Sequence, residues 1–355
     1  MEINERKIIR SHQILPQVVF VGGHPGCGKT MLTPILGSMN RVEIQKYNYP
    51  MEYMAQLEFL GKMTPDSATA MVRMLLDIDI YNMSMSREVN FRYSDLSSVF
   101  QNPNPWRYFK RSIGKGDEVV LAKIKTEKPI LQIVTHNLLA LSQTLFNSLG
   151  ERMTVLEVIR HPLYMLKQWF LYVERYGTDV RDFTIWFEYQ GKQLPFFAKG
   201  WEEKFLNCNS MDRVIYSISQ LAQMGGKNMA QLSPTLKDRI LFIPFERFVL
   251  NPYPFIDKIE NLLNTQRTPA TIKELKRQKV PRQKVADGIS LPIYKLNGWQ
   301  SPKQGSSEKE ELQSRWAFAK EKASPEGLAL LKRMCDTYEE ENVPEWKGFI
   351  DEVYK

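Results

Sequence analysis

Cysteine and histidine are scarce in this sequence. Its 355 residues include three cysteines and four histidines. Cys27, Cys208 and Cys335 are scattered, and their number and spacing fit neither a disulfide framework nor a zinc site. We therefore expect no metal site built on these residues, and a reducing compartment.

Long apolar runs are also missing. No stretch of about 20 apolar residues occurs, and the N-terminus, Met1 to Lys7, lacks the apolar core of a signal peptide. We therefore expect no membrane segment in this chain and a cytoplasmic protein. The sequence carries no dimer motif and says nothing about the oligomeric state.

Charged side chains are abundant but not clustered. Lys and Arg outnumber Asp and Glu by 48 to 40, a net charge of +8, so the mean field favours anionic ligands such as phosphates, sulfates or acidic sugars. No lysine-arginine run or RNA-binding signature is present, so nucleic acid is not an expected partner. With 43% hydrophobic residues, the composition is that of a globular protein.

Four short apolar runs predict strands that are buried on both faces of a sheet. They are Gln17–Val21, Ile130–Val134, Val155–Ile159 and Ile240–Ile243. Helical patterns separate them, so the alternation predicts an α/β fold with a mostly parallel central sheet flanked by helices. This is the three-layer architecture of the P-loop NTPases.

We expect one domain over residues 1–355. Aromatic side chains are dense within a predicted helical insertion at about 164–235, where core packing is favoured over the wall of a substrate cleft. Residues 90–115 and 301–308 are predicted to be loops. C-terminal helices are predicted at about 308–355, with a break near Ser324.

A phosphate-binding loop follows the first predicted strand. The pattern G-x-x-x-x-G-K-[ST], between a strand and a helix, is formed by Gly23, His24, Pro25, Gly26, Cys27, Gly28, Lys29 and Thr30. Glycines let backbone N–H groups face a phosphate, the helix N-terminus adds the positive end of its dipole, and the lysine adds a mobile charge. We expect these eight residues to bind a nucleotide-type cofactor.

The loop alone does not say which group is transferred. A P-loop kinase also needs an acidic residue at the end of a second strand to hold Mg²⁺. The strands that end at Val134 and Ile159 continue instead with Thr135-His136 and with Arg160-His161-Pro162. Only Glu246 lies close behind a predicted strand.

The residues after these strands resemble the motifs of the PAPS-dependent sulfotransferases, which use 3′-phosphoadenosine 5′-phosphosulfate (PAPS). In the cytosolic branch of that family a strand ends in Lys-Thr-His, and the histidine is the catalytic base. Thr135 and His136 match this pattern, and Val134 stands in place of the lysine. The resemblance spans about Val18 to Leu263, thinly between the motifs.

Two further stretches extend the resemblance. Arg160-His161-Pro162 is similar to the family's 3′-phosphate motif, a strand ending in Arg-x-Pro, and 160 − 136 = 24 residues suit one crossover helix. Phe245-Glu246-Arg247-Phe248 with Asn251-Pro252 is similar to the family's Tyr-Glu-x-Leu…Asn-Pro stretch. This similarity accounts for Glu246 without a metal.

Three features depart from the family pattern. Many members carry Pro-[Lys/Arg]-Ser-Gly-Thr-Thr in the loop, whereas Lys29 lies at the position typical of kinases. Gln168 replaces a serine that follows the motif arginine by eight residues. The C-terminal Arg-Lys-Gly signature is matched only loosely, by Arg282 and Lys284 with Gly288 nearby.

The resemblance implies a sulfotransferase that moves the sulfuryl group of PAPS in line, without a metal, to a hydroxyl or amine of a small-molecule or saccharide acceptor. The product is adenosine 3′,5′-bisphosphate. It implies that His136 is the general base and that Lys29 pairs with the 5′-phosphate and the leaving oxygen. Arg160 would bind the 3′-phosphate, where the contact of Gln168 is weakened or made through its amide, and Arg282 and Lys284 would contact the cofactor.

Alternatives to this interpretation remain open. Other branches of the family place a glutamate base after the first helix, so Glu43 and Glu52 are reserve candidates. A P-loop kinase that uses ATP and Mg²⁺ would also fit the intact Gly-x4-Gly-Lys-Thr pattern. A non-catalytic nucleotide-binding protein on the same fold is the third alternative.

Overall fold

A parallel sheet forms the centre of the computed structural model, which describes residues 6–175, 178–180, 182–288 and 306–354. Within these residues five strands pair in the order β2-β3-β1-β4-β7, all of them parallel, and β5 and β6 form a separate antiparallel hairpin. The strands are β1 Gln17–Gly22, β2 Lys46–Tyr47, β3 Ile130–Val134, β4 Met153–Ile159, β5 Trp186–Tyr189, β6 Lys192–Pro195 and β7 Ile240–Pro244.

Helices follow most strands and cover the sheet. The α-helices are α1 Lys29–Gly37, α2 Tyr49–Phe59, α3 Pro65–Ser84, α4 Pro105–Ser112, α5 Asp117–Glu127, α6 Ser142–Leu149, α7 Pro162–Arg175, α8 Glu202–Asn207, α9 Ser210–Gln231, α10 Pro234–Lys237, α11 Phe245–Leu250, α12 Tyr253–Leu263, α13 Pro269–Arg277, α14 Glu308–Lys320, α15 Pro325–Asn342 and α16 Asp351–Tyr354. Short 3₁₀ helices span Val99–Gln101, Leu138–Leu141, Gly150–Arg152, Phe196–Ala198 and Pro344–Trp346. None of the helices in the described ranges is long and apolar enough to cross a membrane.

Alternate residues of β1 pack into cores on opposite faces of the sheet. Val19 and Val21 belong to one buried cluster, and Val18 and Phe20 belong to another. Successive side chains of a strand point to opposite faces, so a strand covered on both sides must be apolar throughout. The structure therefore confirms the three-layer α/β fold and all four predicted strands.

The C-terminal helices complete the core on one face. Helix α14 packs against α7, and α15 packs against α7 and α9. Trp316 and Cys335 are fully buried in the same cluster as Val19. The predicted break lies where expected, because the Ser324 side chain caps α15 by accepting a hydrogen bond from Gly327 N–H.

The predicted loop at residues 90–115 is wrong in part, because it contains helix α4. Pro105 lies in the first turn, where its missing N–H costs no helical hydrogen bond. Tyr108 and Arg111 are buried on one face of this short helix. Of the predicted loop at 301–308, residues 301–305 lie outside the described residues, and the assignment of one domain stays a prediction.

Candidate active site

The sheet brings the predicted site residues to one edge. In the parallel sheet Val21 pairs with Val134 of β3, and Gly22 pairs with Glu157 of β4, so three strands end side by side. The phosphate loop, His136 and Arg160 each follow one of these ends. Ligands of open α/β sheets bind at this carboxyl edge.

The phosphate loop turns sharply between β1 and α1. Gly28, at the helix N-terminus, has φ 103°, a conformation that favours glycine. A Cβ atom at this position would lie 2.4 Å from two ring carbons of Phe245. The loop therefore requires glycine here for its conformation and for the close approach of the ring.

Lys29 is held inside its own loop. Its ammonium donates a hydrogen bond to the carbonyl oxygen of Gly23, and the side chain is mostly buried. A phosphate bound by the loop would offer this lysine a stronger, anionic acceptor.

Glu157 places a carboxyl group beside this lysine. Its side chain is buried in β4, and Oε2 makes no hydrogen bond to the described residues. Burial raises the pKa of Glu157 to about 8, although the charge of Lys29 lowers it. The sequence analysis missed Glu157 because it considered acidic residues only at the ends of strands. The available signal was a charged residue within an apolar run.

A cavity of about 340 Å³ opens above the loop. The predicted site residues that line it are His24, Pro25, Gly26, Gly28, Lys29, Thr30, His136, Arg160, Gln168 and Arg282. The structure therefore brings the loop, the proposed base and the motif arginine into one space.

Gly23, Cys27 and Lys284 are not part of this lining. The Gly23 carbonyl is the acceptor for Lys29, and Lys284 is exposed. Cys27 is buried, and burial raises the pKa of its thiol, so it is not a reactive thiolate. Contacts of these three residues with a cofactor stay predictions.

Arg160 joins the loop to the end of β4. Its Nη1 donates to the Gly26 carbonyl at 2.9 Å, and its guanidinium lies 4.2 Å from the centre of the Phe245 ring. Its Nε makes no hydrogen bond to the described residues and lies 3.9 Å from Glu246 Oε1. Burial lowers the pKa of Arg160, and the Glu246 carboxylate opposes this effect.

Glu246 connects the residue before α7 to helix α15. The fully buried carboxylate accepts hydrogen bonds from His161 N–H at 3.2 Å and from the Tyr338 hydroxyl at 2.5 Å. His161 in turn lies 3.0 Å from Glu339 Oε1 through its Nε2. In the described part of the chain, no three His, Cys, Asp or Glu side chains gather as a metal site.

His136 is half-buried and lines the same cavity as the loop and Arg160. Its ring stacks parallel to Tyr49, with centroids 6.4 Å apart and planes 4° from parallel. Its Nδ1 lies 3.8 Å from Oε1 of Glu52, the first-turn acid of α2. The structure thus brings two of the three candidate bases together.

Glu43, the third candidate base, is not part of the cavity lining. Its carboxylate is fully buried and is bound by Arg107, Arg111 and the Tyr108 hydroxyl. With its oxygens engaged by these three side chains, Glu43 is not accessible to an acceptor in the cavity.

His24 is kept neutral. Burial lowers its pKa to about 4, and its Nδ1 lies 2.6 Å from Asn137 Oδ1. Near neutral pH the imidazole therefore carries no charge, and Nδ1 donates its proton to the amide oxygen. His24 shapes the loop and the cavity without adding positive charge.

Two cavity residues, Tyr164 and Arg315, were missed by the sequence analysis. Tyr164 lies in α7 near the motif arginine, and Arg315 lies in α14. Arg315 has Glu311 as an i,i+4 partner, a pairing typical of a solvated helix face, so its burial could not be predicted from the sequence.

Comparisons with known proteins give only distant structural likenesses. No protein-family model matches the sequence, and no curated protein matches it. The chain is similar to the sulfotransferase domain from the curacin biosynthetic pathway, with 13% identity, a TM-score of 0.39, and coverage of 85% of this chain and 98% of that one.

Two other solved structures are similar at the same level. The sulfotransferase domain of the Synechococcus PCC 7002 olefin synthase has 12% identity and a TM-score of 0.39, over 89% of this chain and 98% of that one. Sulfotransferase STF1 from Mycobacterium tuberculosis H37Rv has 11% identity and a TM-score of 0.37, over 79% and 76%. Function is therefore argued from the residues of this chain.

Proposed function

We propose that the chain is a sulfotransferase that uses PAPS and transfers its sulfuryl group to a hydroxyl or amine of a small-molecule or saccharide acceptor. The observation that carries the proposal is a single cavity with three chemical parts. These are a phosphate loop, the buried arginine Arg160, whose Nε makes no hydrogen bond to the described residues, and the accessible imidazole of His136.

The residues fit a nucleotide that bears phosphates at two places. The loop and Lys29 would hold the 5′-phosphate, and Arg160 with Arg282 would hold the 3′-phosphate, since both guanidinium groups line the cavity beside the Phe245 ring. PAPS supplies the sulfuryl group and leaves as adenosine 3′,5′-bisphosphate.

Each side chain then has a defined task. His136 takes the proton of the acceptor group, and Glu52 balances the charge that the imidazole gains. Lys29 and the loop N–H groups stabilise the negative charge that develops on the leaving oxygen. A sulfuryl group carries less negative charge than a terminal phosphoryl group, so these donors suffice without a metal in this proposal.

A P-loop kinase is the second candidate. The Gly-x4-Gly-Lys-Thr loop favours it, and so does Glu157, an acid beside Lys29 that could act through Mg²⁺-bound water. The cavity lining favours the first candidate. The phosphates of ATP form one continuous chain, so ATP would offer no second phosphate to Arg160.

Calorimetry with PAPS, adenosine 3′,5′-bisphosphate and ATP, with EDTA and with Mg²⁺, separates the candidates. We expect the two 3′-phosphorylated nucleotides to bind in EDTA more than about tenfold tighter than ATP, as a charge-assisted hydrogen bond allows. PAPS should be consumed in EDTA when a suitable acceptor is present. Tighter binding of ATP with an absolute need for Mg²⁺ would establish the kinase instead.

A cytoplasmic location belongs to the same proposal. Cys27, Cys208 and Cys335 are all free thiols, and Cys27 and Cys335 are buried. This supports a protein that works in a reducing compartment.

A further inference from the structure

The ring of Tyr164 lies between two arginines. The Arg160 guanidinium carbon is 4.7 Å from the ring centre, and the Arg315 guanidinium carbon is 4.6 Å from it. Tyr164 and Arg315 are only 4% and 3% exposed, yet both line the cavity. Part of the cavity wall is therefore a buried layer of two guanidinium groups and one phenol.

The hydroxyl of Tyr164 makes no hydrogen bond to any residue that the structure describes, although its oxygen is buried. Burial raises the pKa of this phenol, so the hydroxyl keeps its proton and remains a donor. Arg160 Nε is likewise buried and has no hydrogen-bond acceptor within the described part of the chain. A buried donor without an acceptor lowers the stability of the folded protein. Two such donors at one cavity wall therefore indicate that a bound ligand supplies the hydrogen-bond acceptor.

Arg315 has a carboxylate partner on its own helix, Glu311. Its Nε donates to Glu311 Oε1 at 2.7 Å, and its Nη2 lies 2.6 Å from the same oxygen. A guanidinium has five N–H donors, so this contact leaves others for a ligand while it fixes the orientation of the side chain. Glu311 thus fixes the orientation of the buried Arg315 guanidinium.

We propose that Tyr164 and Arg315, together with Arg160, bind the second phosphate of the nucleotide, so that helix α14 forms one wall of the cofactor site. The group recognised is a phosphate monoester on the sugar, distinct from the phosphate that the loop binds. This inference rests on the proposed function and deepens it, because it assigns nucleotide discrimination to residues of α7 and α14. A nucleotide without that phosphate leaves both donors unpaired.

Tyr164→Phe gives the sharpest test, because it removes one oxygen atom. In the ligand-free protein this change removes an unpaired buried hydroxyl, so the melting temperature should stay the same or rise. Affinity for adenosine 3′,5′-bisphosphate should fall by more than about tenfold, the loss of one hydrogen bond to a charged group. Affinity for adenosine 5′-phosphate should not change.

Arg315→Gln tests the charge, with Arg333→Gln as its control. Arg333 is exposed in α15, so its replacement removes the same charge away from the cavity. Calorimetry should give a loss of more than about tenfold for the bisphosphate with Arg315→Gln. The same variant should bind the monophosphate as the unmodified protein does, and Arg333→Gln should bind both nucleotides normally.

The outcomes separate this inference from the proposed function. Equal losses for the two nucleotides, or no loss in either Tyr164→Phe or Arg315→Gln, would overturn the inference even if PAPS is turned over. A selective loss for the bisphosphate without any turnover of PAPS would uphold the inference and refute the sulfotransferase. Equal binding of the two nucleotides by the unmodified protein would overturn both.

Discussion

At the residue scale, the identity of the base depends on how His136 and Glu52 divide the proton transfer. His136 Nδ1 and Glu52 Oε1 are 3.8 Å apart, and the His136 side chain is 35% exposed whereas that of Glu52 is 9% exposed. The imidazole is therefore the group that an acceptor can reach. A carboxylate at this distance serves a histidine base as an electrostatic partner.

Replacing His136 tests this division of roles. We expect His136→Ala to lower kcat by about 10²- to 10⁴-fold, the usual contribution of a general base. Glu52→Gln should lower kcat less, because the imidazole remains. Steady-state kinetics at saturating PAPS measures both, and adenosine 3′,5′-bisphosphate binding serves as the control for folding. A larger loss in Glu52→Gln than in His136→Ala would make Glu52 the base.

A second prediction at the residue scale concerns the buried carboxyl of Glu157. Burial raises its pKa from 4.5 to about 8, so over this interval the folded protein keeps a proton that the unfolded chain has lost. The stability from this proton is complete below about pH 4.5 and is lost as the pH rises through about 8. Above that pH the new negative charge also lies beside Lys29 and the bound phosphate.

Glu157→Gln should remove this pH dependence. Between pH 6.5 and 9 the melting temperature of the unmodified protein should fall by a few °C more than that of the variant, as expected for about 1–2 kcal/mol. Affinity for adenosine 3′,5′-bisphosphate should fall over the same interval in the unmodified protein only. Parallel curves for the two proteins, in both measurements, would contradict the assignment.

At the scale of an element, the phosphate loop depends on Gly28. An alanine there would adopt φ near 103° and place its Cβ 2.4 Å from the Phe245 ring, against which Arg160 stacks. Relief of this clash must move the ring or the loop. The change therefore disturbs the phosphate cradle and the motif arginine together.

We expect Gly28→Ala to weaken nucleotide binding by more than about tenfold and to destabilise the fold by about 1–3 kcal/mol. Gly61→Ala is the matched control, because Gly61 also has positive φ, at 73°, while nothing lies within 4 Å of the added Cβ. That control should lower the melting temperature through backbone strain alone. If Gly28→Ala binds the bisphosphate as tightly as Gly61→Ala does, the loop is not the phosphate site.

At the scale of the whole molecule, the sequence was sufficient to predict those features that depend on residues close together in the chain. Buried parallel strands are continuous apolar runs, so their positions could be predicted from the local sequence alone. Loop residues such as Gly28 and Lys29 form one contiguous motif. Strands that end at one edge then brought His136 and Arg160 to that motif, as the order of elements implied.

Residues that act only through tertiary contacts could not be predicted in this way. Arg315 lies in a charged helix whose packing against α7 has no sequence signature. Glu157 is hidden within an apolar strand, and its neighbour Lys29 lies far away in sequence. Helix α4 was not predicted for the same reason, because the contacts that bury Tyr108 and Arg111, among them those with Glu43, are tertiary.

The position of Arg315 also orders events in time. The loop ends at Thr30 and the opposite wall carries Arg315, a separation of 315 − 30 = 285 residues. A ribosome makes the loop first and Arg315 much later, and contacts this distant in sequence form slowly during folding. A growing chain therefore contains every residue of the loop long before Arg315 can complete the wall of the cavity.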